Sequence, residues 1–184
     1  MKTWFVNQKV ALVGNAMSLF DKEYGNEIEE HDVVVRLNRG AMIFTAFNSE
    51  KSHGKRTDVW MFWSVVEYKE EIKDVKCKLM HMAHVGRSYR TQKKVDFYYP
   101  IDMRDKIKRH VGNHHNPSTG LMALDYIYNS NPKLISIYGF DWKKTPTFTD
   151  PDKINEERCF HNFPEEEAFV RKTYLSDNKV VLKQ

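Results

Sequence analysis

Two groups of polar residues in this chain have the types and spacing of a reaction centre. The first is His161, followed by Pro164-Glu165-Glu166-Glu167. An imidazole with a pKa near ~6.5 can take the proton of a hydroxyl as its oxygen attacks. The proline and the acids read as the first turn of a helix. The positive end of that helix disfavours imidazolium and keeps His161 a neutral base. Glu166 either pulls the other way or holds the ring in one orientation. The plain alternatives are a structural histidine and an ordinary acidic first turn. The second group is Asn116-Pro117-Ser118-Thr119-Gly120, which opens an apolar-periodic segment. Ser118 or Thr119 can cap a helix there or donate to an anion. Gly120 removes a side chain where something must come close. A helix start offers free amides and about half a positive charge, which suits a single phosphate. An ordinary capped helix is the alternative.

Elements of the right kind exist to position these groups. Val10-Ala11-Leu12-Val13 runs into Gly14-Asn15, and Asp32–Leu37 runs into Asn38. Both read as buried strands that deliver polar amides at their C-terminal ends, one edge of a nucleotide site in an open α/β sheet. Further strands are expected over Thr57–Trp63, Lys78–Ala83 (with alternating character), Lys94–Tyr99, Leu134–Tyr138 and Lys179–Leu182. Helices are expected within Ala16–Glu30 and over Val65–Val75, Ile101–His110, Ser118–Asn129 and Pro164–Tyr174. Arg39–Lys55 and Lys143–Cys159 read as loops. Strands alternating with helices predict one Rossmann-like, three-layer α/β/α domain over residues 1–184 with a mainly parallel sheet.

Composition narrows the partners. Lys and Arg number 29 against 25 Asp and Glu, a net charge of +4. That fits an anionic small ligand and permits nucleic acid without demanding it. No run approaches the ~18 apolar residues of a membrane span, and the N-terminus is too quickly polar for a signal peptide. Cys77 and Cys159 have neither metal nor disulfide-framework spacing, so a reducing, cytoplasmic location is expected. Asp150-Pro151-Asp152 sets two carboxylates one residue apart, but in a turn that favours those residues without a metal. His114 and His115 are adjacent, and adjacent side chains rarely converge on one ion.

In order and internal spacing these blocks resemble the sialyltransferases of glycosyltransferase family 29. The family's long motif corresponds to Val13-Gly14-Asn15, Tyr24-Gly25-Asn26-Glu27-Ile28 and Arg36-Leu37-Asn38. Its short motif corresponds to Pro117-Ser118-Thr119-Gly120 and Tyr138-Gly139-Phe140, and its late His-x4-Glu motif to His161 and Glu166. The resemblance implies a variant of the GT-A fold, a CMP-sugar donor, a glycan or other hydroxyl acceptor, inverting transfer, and neither metal nor other cofactor. It makes His161 the base. It assigns Gly14, Asn15, Ser18, Asn38, Ser118, Thr119, Gly120, Tyr138, Gly139 and Phe140 to the donor nucleotide, the last three as pocket wall. Trp60, Phe62 and Trp63 read as strand core, with room for one to face the sugar. The chain departs from the family in three places. Ser18 stands where the family has a second asparagine. Val10 and Pro132 stand where its luminal members have a disulfide. No His-Tyr motif appears between Trp142 and Phe160. These departures leave a second reading open, a nucleotide-binding module without transfer activity. A transferase acting on modified nucleic acid and a purely nucleic-acid-binding protein are further alternatives.

Overall fold

The computed structural model describes residues 3–42, 49–63, 76–82, 95–112, 115–149 and 160–184. Seven strands form one sheet: β1 (Lys9–Val13), β2 (Val33–Leu37), β3 (Val59–Phe62), β4 (Lys78–His81), β5 (Phe97–Tyr98), β6 (Leu134–Tyr138) and β7 (Val180–Lys183). Their order is β5-β4-β3-β2-β1-β6-β7, and every pairing is parallel. The chain first winds outward from β1 to β5. It then returns to the other side of β1 with β6 and β7. The order therefore reverses beside β1, where open α/β sheets form a crevice at the carboxyl ends of their strands.

Strand alternation divides the core into two apolar layers. Val10, Leu12, Val35, Leu37, Val59, Met61, Ile135 and Ile137 face one layer. There they meet Ile107 of α3 (Ile101–Lys108), Leu121, Met122, Leu124 and Ile127 of α4 (Thr119–Asn129), and Val170 of α5 (Phe163–Thr173). Ala11, Val13, Val34 and Tyr138 face the other, against Leu19 and against Ile28 of α1 (Gly25–Glu29). Strands buried on both sides show as unbroken apolar runs in the sequence. α4 is buried along nearly its whole length, and Asp125 is buried with it. Tyr99 Oη (3.3 Å), Tyr174 Oη (2.8 Å) and Asn129 Nδ2 (2.9 Å) all donate to that carboxylate. The network satisfies a group that burial would otherwise make costly and pins α5 and the segment after β5 to α4.

The segment expected as a loop over Arg39–Lys55 carries more structure than that. It opens with a 3-10 turn, Asn38–Met42, and ends in the one-turn helix α2 (Glu50–His53). Neither is long enough to leave a periodic signature. β5 is two residues long rather than six, and β4 is buried at three of its four positions instead of alternating. The expected helix over Val65–Val75, and residues His114, Asp150, Pro151, Asp152 and Cys159, lie outside the described residues.

Candidate active site

A cleft of about 810 Å³ opens at the carboxyl edge of the sheet, beside the point where strand order reverses. One wall is made by strand ends. Gly14 N–H donates to Tyr138 O at 2.8 Å, which ties the exit of β1 to that of β6. A Cβ on Gly14 would lie 2.4 Å from Gly139 O and 2.7 Å from the Phe140 ring. A Cβ on Gly120 would lie 2.8 Å from the same ring. Phe140 is thus wedged between two glycines, one at the end of β1 and one in the first turn of α4. The close approach that Gly120 permits is made by protein. Gly139 has φ +63°, a backbone that disfavours any side chain.

Asn15 donates its Nδ2 to Leu37 O at 3.2 Å, while its Oδ1 is buried with no hydrogen-bond partner. Asn38, at φ +46°, accepts from Trp60 Nε1 through its carbonyl (2.6 Å) and from Trp63 N through its Oδ1 (3.1 Å). Its side chain therefore holds the exit of β3.

The opposite wall joins the tip of α4 to residues 160–166. Ser118 caps α4 by accepting from Leu121 N at 3.1 Å. Ser118 N–H donates to Glu166 Oε1, and Ser118 Oγ donates to Glu166 Oε2, each at 2.6 Å. Two residues upstream, Asn116 N–H donates to Phe160 O at 3.0 Å. The Asn116 carbonyl accepts from His161 Nδ1 at 2.7 Å. A carbonyl only accepts, so Nδ1 carries the proton and Nε2 keeps its lone pair. Burial holds the His161 pKa below the usual imidazole range; the Asn116 bond opposes this, and the charges of Lys143 and His115 add to it. Burial pushes the Glu166 carboxyl up to about 7 against the pull of both Ser118 bonds.

Ten of the residues expected at the site line this cleft: Gly14, Asn15, Asn38, Ser118, Thr119, Gly120, Gly139, Phe140, His161 and Glu166. Tyr138 does not. It faces the other layer, donates from Oη to Glu27 Oε1 at 2.9 Å, and packs on Tyr24 and His31. Strand alternation puts Ile137 on the cleft side of β6 and Tyr138 on the far side. Ser18 also lies off the cleft, with its Oγ donating to Asp141 Oδ2 at 3.3 Å. Glu166 has the cleft position expected of it but a different partner: Ser118, not the His161 ring.

The loop expected from Lys143 onward opens with an ordered turn centred on Asp141, which was not among the expected site features. Asp141 accepts from Lys143 N (3.0 Å), Thr145 N (2.9 Å) and the Thr145 hydroxyl. Phe148 N–H reaches Asn15 O at 3.1 Å, and Ala16 bridges Thr147. An aspartate with a threonine four residues on is a turn signal that could have found it. The Phe148 ring lies 5.7 Å from His53, a buried imidazole of α2 that burial, and then the charge of Arg36, hold down to about 4. Asn116, from the helix-opening motif, and Trp63, among the aromatics of which one could face the sugar, line the cleft; Lys143 lines it without having been singled out.

The sequence profile of glycosyltransferase family 29 (sialyltransferase) matches residues 7–97, which carry β1 to β4 with Gly14, Asn15 and Asn38 of the strand wall. Over that part of its length the chain resembles the sialyltransferases. Solved sialyltransferases share its fold. A mammalian sialyltransferase in complex with Gal-β-1-3GalNAc-ortho-nitrophenol is 17% identical with a TM-score of 0.66, over 96% of this chain and 69% of that one. The sialyltransferase CstII from Campylobacter jejuni, in complex with the substrate analogue CMP-3FNeuAc, is 15% identical with a TM-score of 0.56, over 95% and 78%. CstII with a trisaccharide acceptor and CMP gives 15% and 0.54, over 96% and 86%. No curated protein sequence matches the chain. Among the described residues, no group of three His, Cys, Asp or Glu side chains is placed to hold a metal ion. No described helix is long and apolar enough to cross a membrane.

Proposed function

We propose that the chain is an inverting glycosyltransferase. It moves sialic acid, or another CMP-linked acidic sugar, from a CMP-sugar to a glycan hydroxyl without a metal, in a reducing, cytoplasmic setting. The observation that carries this reading is the His161–Asn116 bond. It leaves Nε2 unprotonated in the cleft, beside the tip of α4. The acceptor oxygen attacks the anomeric carbon and gives its proton to His161 Nε2. The bond from that carbon to the donor phosphate breaks, and its electron pair leaves on the phosphate oxygen of CMP.

The leaving group carries one phosphate, and the free amides at the start of α4 suit it. Ser118 is committed to Glu166, so the amides of Thr119 and Gly120 supply that end of the helix. Asn15 shapes the nucleotide side of the cleft, its Nδ2 held on Leu37 O and its Oδ1 turned in against Gly40. Trp63, 40% exposed on the cleft with its backbone fixed on both sides, suits the apolar face of a sugar ring. CstII has been solved with CMP and a trisaccharide acceptor, and the mammalian enzyme with a disaccharide derivative. These likenesses support a glycan acceptor and lend no support to nucleic acid. Val10 and Pro132, in place of a family disulfide, are in keeping with the reducing compartment.

Two measurements test the reading. In thermal-shift titrations CMP and CMP-sialic acid should raise the unfolding temperature by mass action, while UDP and GDP should not. His161→Ala should bind CMP as wild type does and release CMP from CMP-sialic acid about 10²- to 10⁴-fold more slowly. Equal turnover in that variant would remove the base assignment. A preference for UDP with manganese would overturn the donor. CMP binding without any CMP release, in wild type, would favour the binding-module reading.

A further inference from the structure

Lys143 and Lys144 are neighbours with opposite circumstances. Lys144 Nζ lies 2.9 Å from Glu167, which also pairs with Arg171, and it sits over the Trp142 ring. Lys143 lines the cleft and, among the described residues, has no acidic side chain within ion-pair distance. Its backbone N–H is fixed by Asp141 Oδ1. The Asp141 carboxylate is otherwise occupied by Ser18 and by the amide and hydroxyl of Thr145. Trp142 and Lys143 both adopt left-handed backbone, at φ +52° and +64°, though neither is glycine. Non-glycine residues pay for that conformation, and such strain gathers where a side chain must be aimed. The Lys143 charge also reaches the His161 ring across the cleft.

We infer that Lys143 is an anion-binding residue of this cleft, pairing with the phosphate or the carboxylate of the bound donor. The inference rests on the donor reading above and deepens it. It adds a mobile cation to the fixed dipole of α4. A lone ammonium on a flexible stem can follow an oxyanion as its charge grows, which backbone amides cannot do.

The test uses Lys143→Asn, because asparagine tolerates left-handed backbone, together with Lys143→Arg, which keeps the charge. Binding of cytidine, CMP and CMP-sialic acid is measured by calorimetry. If Lys143 pairs with the phosphate, Lys143→Asn weakens CMP roughly tenfold or more, the worth of a charge-assisted bond, and leaves cytidine unchanged. If it pairs with the donor carboxylate, CMP is unchanged and CMP-sialic acid alone weakens. Lys143→Arg restores most of the affinity in either case. Equal affinity of wild type and Lys143→Asn for both CMP and CMP-sialic acid overturns the assignment while leaving the proposed function standing. Loss of cytidine binding together with the other two marks a structural role and also overturns it. Failure of wild type to bind any of the three removes the donor reading and Lys143's role with it.

Discussion

The two walls of the cleft use their polar groups differently. On the strand wall, two asparagines tie one strand exit to the next: the Asn15 side chain to Leu37, and Asn38 to Trp60 through its backbone carbonyl and to Trp63 through its side chain. On the helix wall, residues 116–118 and 160–166 hold each other through bonds that consume a serine and a glutamate and leave one imidazole nitrogen free. The strand wall is scaffold. The helix wall is an arrangement that sets a protonation state.

The largest effect expected from breaking this contrast is on the helix wall. His161→Ala should lower the rate of transfer by about 10²- to 10⁴-fold, the usual worth of a general base, in steady-state assays with saturating CMP-sialic acid. CMP affinity should hold. On the strand wall Gly14→Ala should leave the chemistry alone and cost about 1–3 kcal/mol of stability in urea titrations, because its Cβ meets Gly139 O and Phe140. Gly120→Ala meets only the Phe140 ring among such close contacts. Its cost should therefore shrink when Phe140→Leu is added, a coupling that a double-mutant cycle reads directly.

Protonation gives a third comparison. The Glu166 carboxyl is raised to about 7 by burial, so the folded chain binds that proton more tightly than the unfolded chain. Its contribution to stability is full below about 4.5 and is lost as pH rises through about 7. His53, lowered to about 4, behaves in the opposite sense: its contribution is full above about 6.5 and is lost as pH falls toward 4. Glu166→Gln should flatten the first slope and leave the second, as followed by melting temperature against pH. The smallest effect belongs to Trp63. Trp63→Ala should raise the KM for the acceptor or the CMP-sugar roughly three- to tenfold, the worth of one aromatic contact, and Trp63→Phe should recover most of it.

How far each wall was legible follows from what made it. Val10–Val13 is an apolar run, and Val33–Leu37 and Leu134–Tyr138 are apolar but for the buried Arg36 and Ser136; all three are closed by glycine or asparagine, and such segments declare buried parallel strands on their own. The reversal beside β1 places their exits together, so Gly14, Asn15, Asn38 and Gly139 could be grouped from sequence. α4 declared itself through Ser118 as cap. The pairing of Glu166 with Ser118 was not legible. It depends on the first turns of α4 and α5 meeting, 48 residues apart in sequence. Tyr138 was misplaced because a motif was followed where alternation along the strand gave the better answer. The loop after Gly139 was legible as a loop, but the order of its first turn was not, because that order comes from one aspartate and not from any periodicity.

The Phe140 ring lodged between Gly14 and Gly120 has a consequence beyond packing. It sets the gap between the first strand and the fourth helix by the span of one benzene ring, with Cδ2 and Cε2 toward Gly14 and Cε1 and Cζ toward Gly120. Those three positions are therefore a lock with a single key, and in descendants of this chain they should drift only as a set.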